Sequence, residues 1–454
     1  MIRILLIFAA LLALAGCKED SPTASRETSP GGIGYTLIHL PGNPDVTIHA
    51  AWPTDWAYRA DTNKAAPTVG IDLLLTGGAE GYPAGDAPER FADLNSEADI
   101  FASVNDHIVG QLTFEIDHLA ETVAIANAHL RAPTLDPDWF ARIEADVAQS
   151  LAEAQAQPVH AGFDAVRWSV FGEQPLRNGL SLDEPGVLQS LTRMDVVAWH
   201  AETFTNRPDA VVVAGGLEAE AAGAAVDALF AGLPEPNRTV SRDVSPDFRP
   251  RRILLHRPDA ETTTLSFVAP LPPTRQGGEF EDLILIHALG GGDQSALFDA
   301  VRTDLRASYA FGSGIANFTR ELRLLFMAGE VAADTLGDAE GVVRDAYAAF
   351  REVGPQGWLD DRKAPFAANL SEMPDFIIDL ARSELQSQLD GYAPGRALQM
   401  PEELDAVTET SLLERLRAAY PAPDDFIIIA VSPDADAVPG ACVIATPPEA
   451  AACP

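Results

Sequence analysis

One short stretch of the sequence holds the side chains best placed to act on a substrate. It opens with three consecutive glycines: Gly290, Gly291 and Gly292. A helical pattern follows, with apolar residues at positions 297, 298 and 301, and Arg302 stands seven residues before Tyr309 (309 − 302). Two helical turns span about seven residues, so a continuous helix would place the guanidinium and the phenol on one face. Both groups donate hydrogen bonds to a carbonyl or an oxyanion. On composition alone, the glycines also fit a plain flexible turn.

The sequence has no pair of histidines at the spacing of a helical metal site. Its nine histidines stand at positions 39, 49, 107, 118, 129, 160, 200, 256 and 287, and no two are four residues apart. Histidines at i and i+4 share one face of a helix, and that arrangement presents two imidazoles to a zinc ion. A Gly-x-Ser-x-Gly nucleophile motif and a Gly-Lys-Ser/Thr phosphate loop are also missing from the sequence. Serine-hydrolase and nucleotide-binding functions are therefore disfavoured.

One atypical metal site stays open at this point. His107 and His118 lie in an alternating, strand-like stretch and are flanked by Asp106, Glu115 and Asp117. Imidazole and carboxylate side chains are zinc ligands. A structural role for these two histidines is the alternative.

The order of the parts around Arg302 resembles a known family. The three glycines, the Leu-Phe pair at 297–298, the Val-Arg pair at 301–302 and Tyr309 follow one another as in the C-terminal half of the insulinase/pitrilysin-like zinc metallopeptidases, which include the mitochondrial processing peptidase. In that family the Arg and Tyr steady the peptide substrate, so the resemblance implies substrate binding by Arg302, Tyr309 and the glycines. Family members commonly carry a glycine where Arg306 or Ala307 stands here. The resemblance covers nearly all of residues 33–435.

The same resemblance implies that the zinc centre has been lost. Active family members carry His-x-x-Glu-His on a helix of the first half, and a second Glu about 75 residues later. The corresponding residues 67–81 contain no histidine, and leucines at 73–75 stand where ligands are expected. Asp72 is the only acid in the helical part, and the place of the second Glu falls on Ser150. We therefore expect no metal or other cofactor on this chain, and zinc in a partner subunit.

An internal repeat predicts the architecture. Residues 191–214 and 407–430 align without a gap at an offset of 216 (407 − 191), and each copy reads as a helix, an aromatic residue, a turn and a β-branched strand. We predict an α+β fold of two homologous insulinase-like halves, each an antiparallel-rich sheet with helices, enclosing a cavity. The predicted boundaries are a signal peptide (1–17), a flexible tether (18–34), the first half (35–232), a linker (233–250), the second half (251–435) and a tail (436–454).

The N-terminus resembles a bacterial lipoprotein signal. An apolar run follows Arg3 and ends in Ala-Gly before Cys17, and it is shorter than the roughly 20 residues that span a bilayer. We expect lipid on Cys17 and a periplasmic protein anchored to a membrane, with the outer membrane favoured. Cys442 and Cys453 remain, and in an oxidising compartment they either pair or stay free. The formal net charge of −36 disfavours nucleic acid as a partner.

Three functions follow from these observations. The first is a non-catalytic subunit that binds peptide and completes the active site of a metallopeptidase partner carrying His-x-x-Glu-His. The second is a stand-alone lipoprotein that binds or scaffolds peptides. The third is a self-sufficient metallopeptidase with an atypical metal site at His107 and His118.

Overall fold

A computed structural model describes residues 21–180, 182, 186–275, 277–305 and 311–454. The predicted signal peptide with Cys17, and the predicted site residue Tyr309, lie outside these ranges, so both predictions stay untested by the fold. Within the described ranges, none of the helices combines the length and the apolar character needed to cross a membrane.

The first half is a six-stranded mixed sheet with helices. Its strands are β1 (Thr23–Thr28), β2 (Gly34–His39), β3 (Asp45–Pro53), β4 (Glu97–Ser103), β5 (His107–Glu115) and β6 (Ala210–Gly215), in the spatial order β1-β2-β6-β3-β5-β4. Its helices are α1 (Ala66–Thr76), α2 (Ala87–Asp93), α3 (Leu119–Arg131), α4 (Pro137–Gln155), α5 (Pro158–Phe171), α6 (Leu176–Leu180), α7 (Arg193–Thr203) and α8 (Ala219–Phe230).

The second half repeats that sheet. Its strands are β7 (Arg251–His256), β8 (Thr263–Leu271), β9 (Phe311–Asn317), β10 (Arg323–Val331), β11 (Ile427–Ser432) and β12 (Cys442–Ile444), in the order β12-β7-β11-β8-β10-β9. Its helices are α9 (Glu279–Gly290), α10 (Ala296–Phe298), α11 (Leu336–Val353), α12 (Leu359–Glu372), α13 (Ile377–Leu389), α14 (Met400–Asp405) and α15 (Glu409–Ala419).

The two sheets confirm the predicted α+β fold and its duplication. Strands β2, β6, β3, β5 and β4 of the first sheet occur in the same order as β7, β11, β8, β10 and β9 of the second. Helices α7 and α15 are N-capped by Thr192 and Thr408, 216 residues apart (408 − 192), and both threonines form a capping box with the residue three positions on. A capping box satisfies two backbone N–H groups that a helix start leaves unpaired. The repeat detected in the sequence is therefore a repeat of local hydrogen bonding as well.

The halves exchange one helix each. Alternate residues of β6, Val212 and Ala214, pack against Leu380 and Leu385 of α13, a second-half helix. The residues between them, including Val213, face helices of the first half. A strand covered on both faces reads as a continuous apolar run rather than an alternating one, which accounts for three successive valines in β6.

The second sheet shows the reciprocal contact. Helix α5 comes from the first half, and its buried residues Ala165 and Val166 pack with Ile427 and Ile429 of β11. A Cβ added to Gly162 on this helix would lie 3.3 Å from the side chain of Val431. Sheet and exchanged helix are therefore in close contact, and neither half has a complete core of its own.

Two predicted segments differ in the structure. The predicted tether 18–34 contains β1, which pairs antiparallel with β2 and places Thr23 opposite His39. The tether prediction is wrong for these residues because main-chain pairing to an open sheet edge orders a segment whose one apolar side chain is that of Ala24. The single strand-like stretch from 101 to 119 is a hairpin of β4 and β5.

The predicted tail and linker are both fixed to the body. Cys442 and Cys453 form a disulfide with their Cα atoms 5.8 Å apart, which resolves the pairing left open by the sequence. The disulfide closes the segment that runs from β12, paired with β7, to a short helical turn over Pro447–Ala452 beside α5. In the linker, Arg238 and Ser241 donate hydrogen bonds to the buried carboxylate of Asp55. The linker is thus an ordered strap across the first half.

Candidate peptide-binding site

Helix α1 holds the place of the lost zinc motif. Leu73 and Leu74 are fully buried in the first core and point away from any open site. The expectation that leucines 73–75 mark the ligand places is therefore wrong for these two. The open face of α1 carries Thr68 and Asp72, one helical turn apart, and both line a cavity of about 490 Å³.

The cavity beside α1 has the wrong donors for a zinc centre. Asp146 and Ser150 of α4 line it together with Thr68 and Asp72, so its polar side chains are two carboxylates and two hydroxyls, whereas zinc sites are built mainly from imidazoles and thiolates. Burial, followed by the nearby charge of Asp99, raises the pKa of Asp72. Within the ranges that the structure describes, no group of three or more His, Cys, Asp or Glu side chains is arranged to hold a metal ion. The residues present do not fit a zinc ion.

The two histidines of the atypical metal site lie apart. His107 begins β5, and His118 lies in a short turn after the strand has ended. Nine residues of strand extend about 30 Å, so one ion cannot bridge the two side chains. The Nε2 atom of His107 lies 3.0 Å from Asp209, and burial lowers the pKa of this histidine. The structure gives His107 a structural role between two strand ends.

The Gly-rich turn is partly helical. Gly290 is the last residue of α9, and a Cβ on it would lie 2.2 Å from the backbone nitrogen of Ser313 in β9. Gly290 therefore permits close packing of helix on strand. Gly292 has φ = 150°, a backbone conformation that favours glycine. Its carbonyl accepts a hydrogen bond of 2.6 Å from the Ser295 hydroxyl.

Arg302 follows the Gly-rich turn on an exposed surface. Helix α10 continues into a π-helical segment over Asp299–Leu305, and Leu297 and Val301 are buried as the apolar spacing predicts. The Arg302 guanidinium lies 5.0 Å from the centre of the Phe298 ring. The position of Arg302 relative to Tyr309 stays a prediction, because Tyr309 is outside the described residues.

Each sheet ends in an exposed edge strand. β4 pairs with β5 on one side, and among the described strands nothing pairs with its other side. Glu97, Asp99 and Ala102 of this strand are exposed. This edge contains residues 99–103. An unpaired edge offers N–H and C=O groups to an added strand.

The sequence did not reveal a polar cluster between the two β-hairpins. Arg320, in the turn between β9 and β10, donates to the hydroxyl of Ser103 at 2.9 Å and to Asp390 at 2.8 Å. Its backbone N–H donates to Asp106, which also accepts from the Tyr58 hydroxyl. Arg320 is the counterpart of Val104 at the repeat offset (320 − 216), so superposing the two copies could have placed it at this contact.

Comparison with known proteins relates part of this chain to a known family. Residues 190–359 match the family model described as the peptidase M16 inactive domain. This part of the chain is therefore similar to the M16, insulinase-like family. An uncharacterized zinc protease of Mycobacterium tuberculosis is 24% identical over 435 residues, covering 88% of this chain and 93% of the relative. A protein of the same description from Mycobacterium bovis matches equally.

Solved structures share the M16 fold. The peptidase M16 inactive domain from Pseudomonas fluorescens superposes with a TM-score of 0.78 at 17% identity, covering 91% of this chain and 98% of that one. The periplasmic protease PqqL from Escherichia coli gives a TM-score of 0.68 at 13% identity, and the match covers 94% of this chain and 50% of PqqL. The first half of PqqL, solved alone, gives 0.67 at 14% identity with 94% and 96% coverage.

Proposed function

We propose that this protein is a non-catalytic, insulinase-like lipoprotein that binds extended peptide and completes the active site of a partner subunit carrying His-x-x-Glu-His. The observation that best supports the proposal is the set of polar side chains that line the α1 cavity, namely Thr68, Asp72, Asp146 and Ser150. Without imidazole ligands and a metal-bound water, this chain lacks the group that attacks a peptide bond in zinc peptidases. The family model that matches residues 190–359 is itself described as inactive.

The substrate-binding parts would lie on both halves. The exposed edge of β4 suits an extended peptide that adds a strand to the first sheet through main-chain hydrogen bonds. The exposed guanidinium of Arg302 suits a carbonyl or developing oxyanion, and Tyr309 would donate its phenolic proton nearby. In the Gly-rich turn, Gly292 leaves room for a substrate main chain, since a Cβ on it would meet no atom within 4 Å.

Two further observations support a partner and a compartment. The match to PqqL covers 50% of the PqqL chain, so the remaining half of PqqL is as long as the part that this chain matches. The Cys442–Cys453 disulfide fits an oxidising compartment such as the periplasm, where a lipid on Cys17 would hold the protein at the membrane. Nucleic acid stays disfavoured as a partner by the net charge of −36.

The test is a pull-down of the lipid-free chain, residues 18–454, from extracts of its own cells. Zinc content and peptidase activity are measured for the isolated chain and for each co-purifying protein. We expect an insulinase-like partner that carries zinc, with activity only in the pair, reduced at least 10-fold by Arg302→Gln or Tyr309→Phe. Arg207→Gln, an exposed arginine of the first half, serves as the control and leaves activity unchanged.

Two results would contradict the proposal. Zinc and activity in the isolated chain would make it a self-sufficient peptidase. Peptide binding that persists with chelator, without any peptidase partner, would favour a stand-alone peptide-binding lipoprotein, because β4 and the Gly-rich turn are on this chain.

A further inference from the structure

A wide depression lies beside the Gly-rich turn, separate from the α1 cavity and from both edge strands. Its volume is about 520 Å³. One wall consists of His287 and the turn from Gly291 to Ser295, and the other consists of residues 356–358 with Asp361 and Arg362 at the start of α12. A Cβ at Gly292 would meet no atom within 4 Å, so the turn leaves open space.

The first unusual side chain in this depression is Trp358. It precedes α12 and is 80% exposed, whereas Trp52 and Trp199 are at most 1% exposed. Burying apolar surface contributes about 25 cal/mol for each Å² to stability, and an aromatic ring that stays in water does not make this contribution. Tryptophan is also the side chain most enriched among residues that dominate binding interfaces. An exposed ring on the wall of a depression therefore indicates a place where an apolar group packs.

The second unusual side chain is Arg362. It is half-buried, and its Nε donates a hydrogen bond of 2.8 Å to the carbonyl of Gln356, to which Nη2 also donates. Within the described part of the chain, no carboxylate lies within ion-pair distance of its guanidinium, although Asp293 and Asp361 line the rim. Burial alone lowers the pKa of Arg362, so neither acid offsets the loss of water around the charge.

Two buried arginines of the second half show how a carboxylate compensates such a charge. Arg320 pairs with Asp390 at 2.8 Å, and Arg323 pairs with Asp282 at 3.0 Å. A partly buried guanidinium with only a carbonyl partner keeps donors available for an anion, and it binds carboxylates strongly because the fork of N–H groups matches two oxygens.

We propose that this depression binds a peptide carboxylate flanked by an apolar side chain, with Arg362 pairing the carboxylate and Trp358 packing the side chain. The proposal rests on the proposed function, because it names the kind of peptide that such a subunit would hold. A C-terminal carboxylate and the side chain of an internal Glu share this chemistry. The open turn at Gly292 leaves room for the main chain in either case.

The test uses three N-acetylated pentapeptides and the full lipid-free chain. The sequences are Ala-Ala-Ala-Ala-Phe with a free carboxylate, the same peptide with a C-terminal amide, and Ala-Ala-Glu-Phe-Ala with a C-terminal amide. Affinity is measured by calorimetry, and the fluorescence of Trp358 is isolated as the difference between wild type and Trp358→Phe. We expect at least one of the two carboxylate peptides to bind about 10-fold or more tightly than the neutral amide.

The variants assign the preference to the depression. Arg362→Gln should remove the preference for the carboxylate, so that all three peptides bind alike, and Arg362→Lys should restore part of it. Trp358→Ala should weaken every peptide about 10-fold and keep their order. The control Arg207→Gln should change nothing, and circular dichroism confirms that each variant is folded.

Each outcome of the binding experiment either supports or overturns the proposed carboxylate site. A preference for the free carboxylate over internal Glu identifies the peptide C-terminus as ligand, and the reverse identifies an acidic side chain. Equal binding of all three peptides, or a preference that survives Arg362→Gln, overturns this site and leaves peptide binding itself intact. Failure of every peptide to bind overturns the proposed peptide binding and this site together.

Discussion

The backbone N–H of Arg320 donates a hydrogen bond of 2.7 Å to the side chain of Asp106. The two residues belong to corresponding hairpin turns of the two halves, and the Arg320 side chain is only 7% exposed while it pairs with Asp390. Removing the Arg320 side chain leaves the Asp390 carboxylate, which is 26% exposed, without its charged hydrogen-bond donor, and the loss of such a bond costs roughly 1.5–3 kcal/mol. Arg320→Ala should lower the free energy of unfolding by about that amount, measured by urea denaturation. Arg207→Ala, at an exposed pair with Glu235, should be indistinguishable from wild type.

Acid should weaken the contact between the first sheet and α13 through His49. This side chain is fully buried, neither ring nitrogen has a hydrogen-bond partner within the described residues, and burial followed by the charge of Arg382 lowers its pKa to about 3. The unfolded chain binds a proton at this histidine below about pH 6.5, whereas the folded chain does not until about pH 3. The neutral, buried His49 therefore contributes fully to stability above pH 6.5, and this contribution is lost as the pH falls toward 3.

The contribution of His49 can be isolated by substitution. It amounts to about 1.4 kcal/mol per pH unit within that window. Urea denaturation from pH 7 to pH 4 should show a shallower pH dependence for His49→Met than for wild type. His118→Gln, on a surface turn, should retain the wild-type dependence, and equal slopes in wild type and His49→Met would contradict the assignment.

The disulfide should stabilise the exchanged helix α5 as well as the C-terminal loop. Cys453 is 2% exposed and packs in the same cluster as Val166 and Trp168 of α5. Closing a loop of this size contributes about 2–4 kcal/mol. Replacing Cys442 and Cys453 by serine should lower the unfolding free energy by about that amount and raise hydrogen exchange in α5. Unchanged exchange in α5 would show that the loop acts alone.

Gly290 and Gly341 should respond in opposite directions to alanine. A Cβ on Gly290 would lie 2.2 Å from the backbone nitrogen of Ser313, whereas a Cβ on Gly341, inside α11, would meet nothing within 4 Å. Gly290→Ala should destabilise the protein by about 1–3 kcal/mol, since backbone atoms must move. Gly341→Ala should stabilise it by about 0.5–1 kcal/mol because alanine is the better helix former. Thermal unfolding of the two variants measures both effects.

The sequence predicted what depends on local pattern. The repeat, the strands around Val212 and Ile428 and the helix start at Thr192 all follow from apolar periodicity or capping residues, and the structure contains each of them. The family resemblance is confirmed as well. Local pattern identifies which residues are buried, but it carries no information on which element buries them. The exchange of α5 and α13 between the halves was therefore not predictable from their own residues.

The candidate site was only partly predictable for a similar reason. Gly290, Gly292 and Arg302 were identified from their order along the chain, and the structure places them around the end of α9 and the segment after α10. Trp358 and Arg362 were not predicted from the sequence. Trp358 is unusual because its ring is exposed, and Arg362 because it has no described carboxylate partner, and residue type alone shows neither property. Tyr309 and Cys17 remain predictions.

The exchange of helices also constrains how the polypeptide reaches its native state. Ile38 of the first sheet is covered by α13, whose first residue, Ile377, follows it by 339 positions (377 − 38). A chain emerging from the ribosome or a secretion channel therefore cannot finish its first half until most of the second has appeared. Closing such a distant contact is slow, because loop entropy is lost before the contact forms. Assistance from chaperones during synthesis or export would thus matter more here than for two halves that fold one after the other.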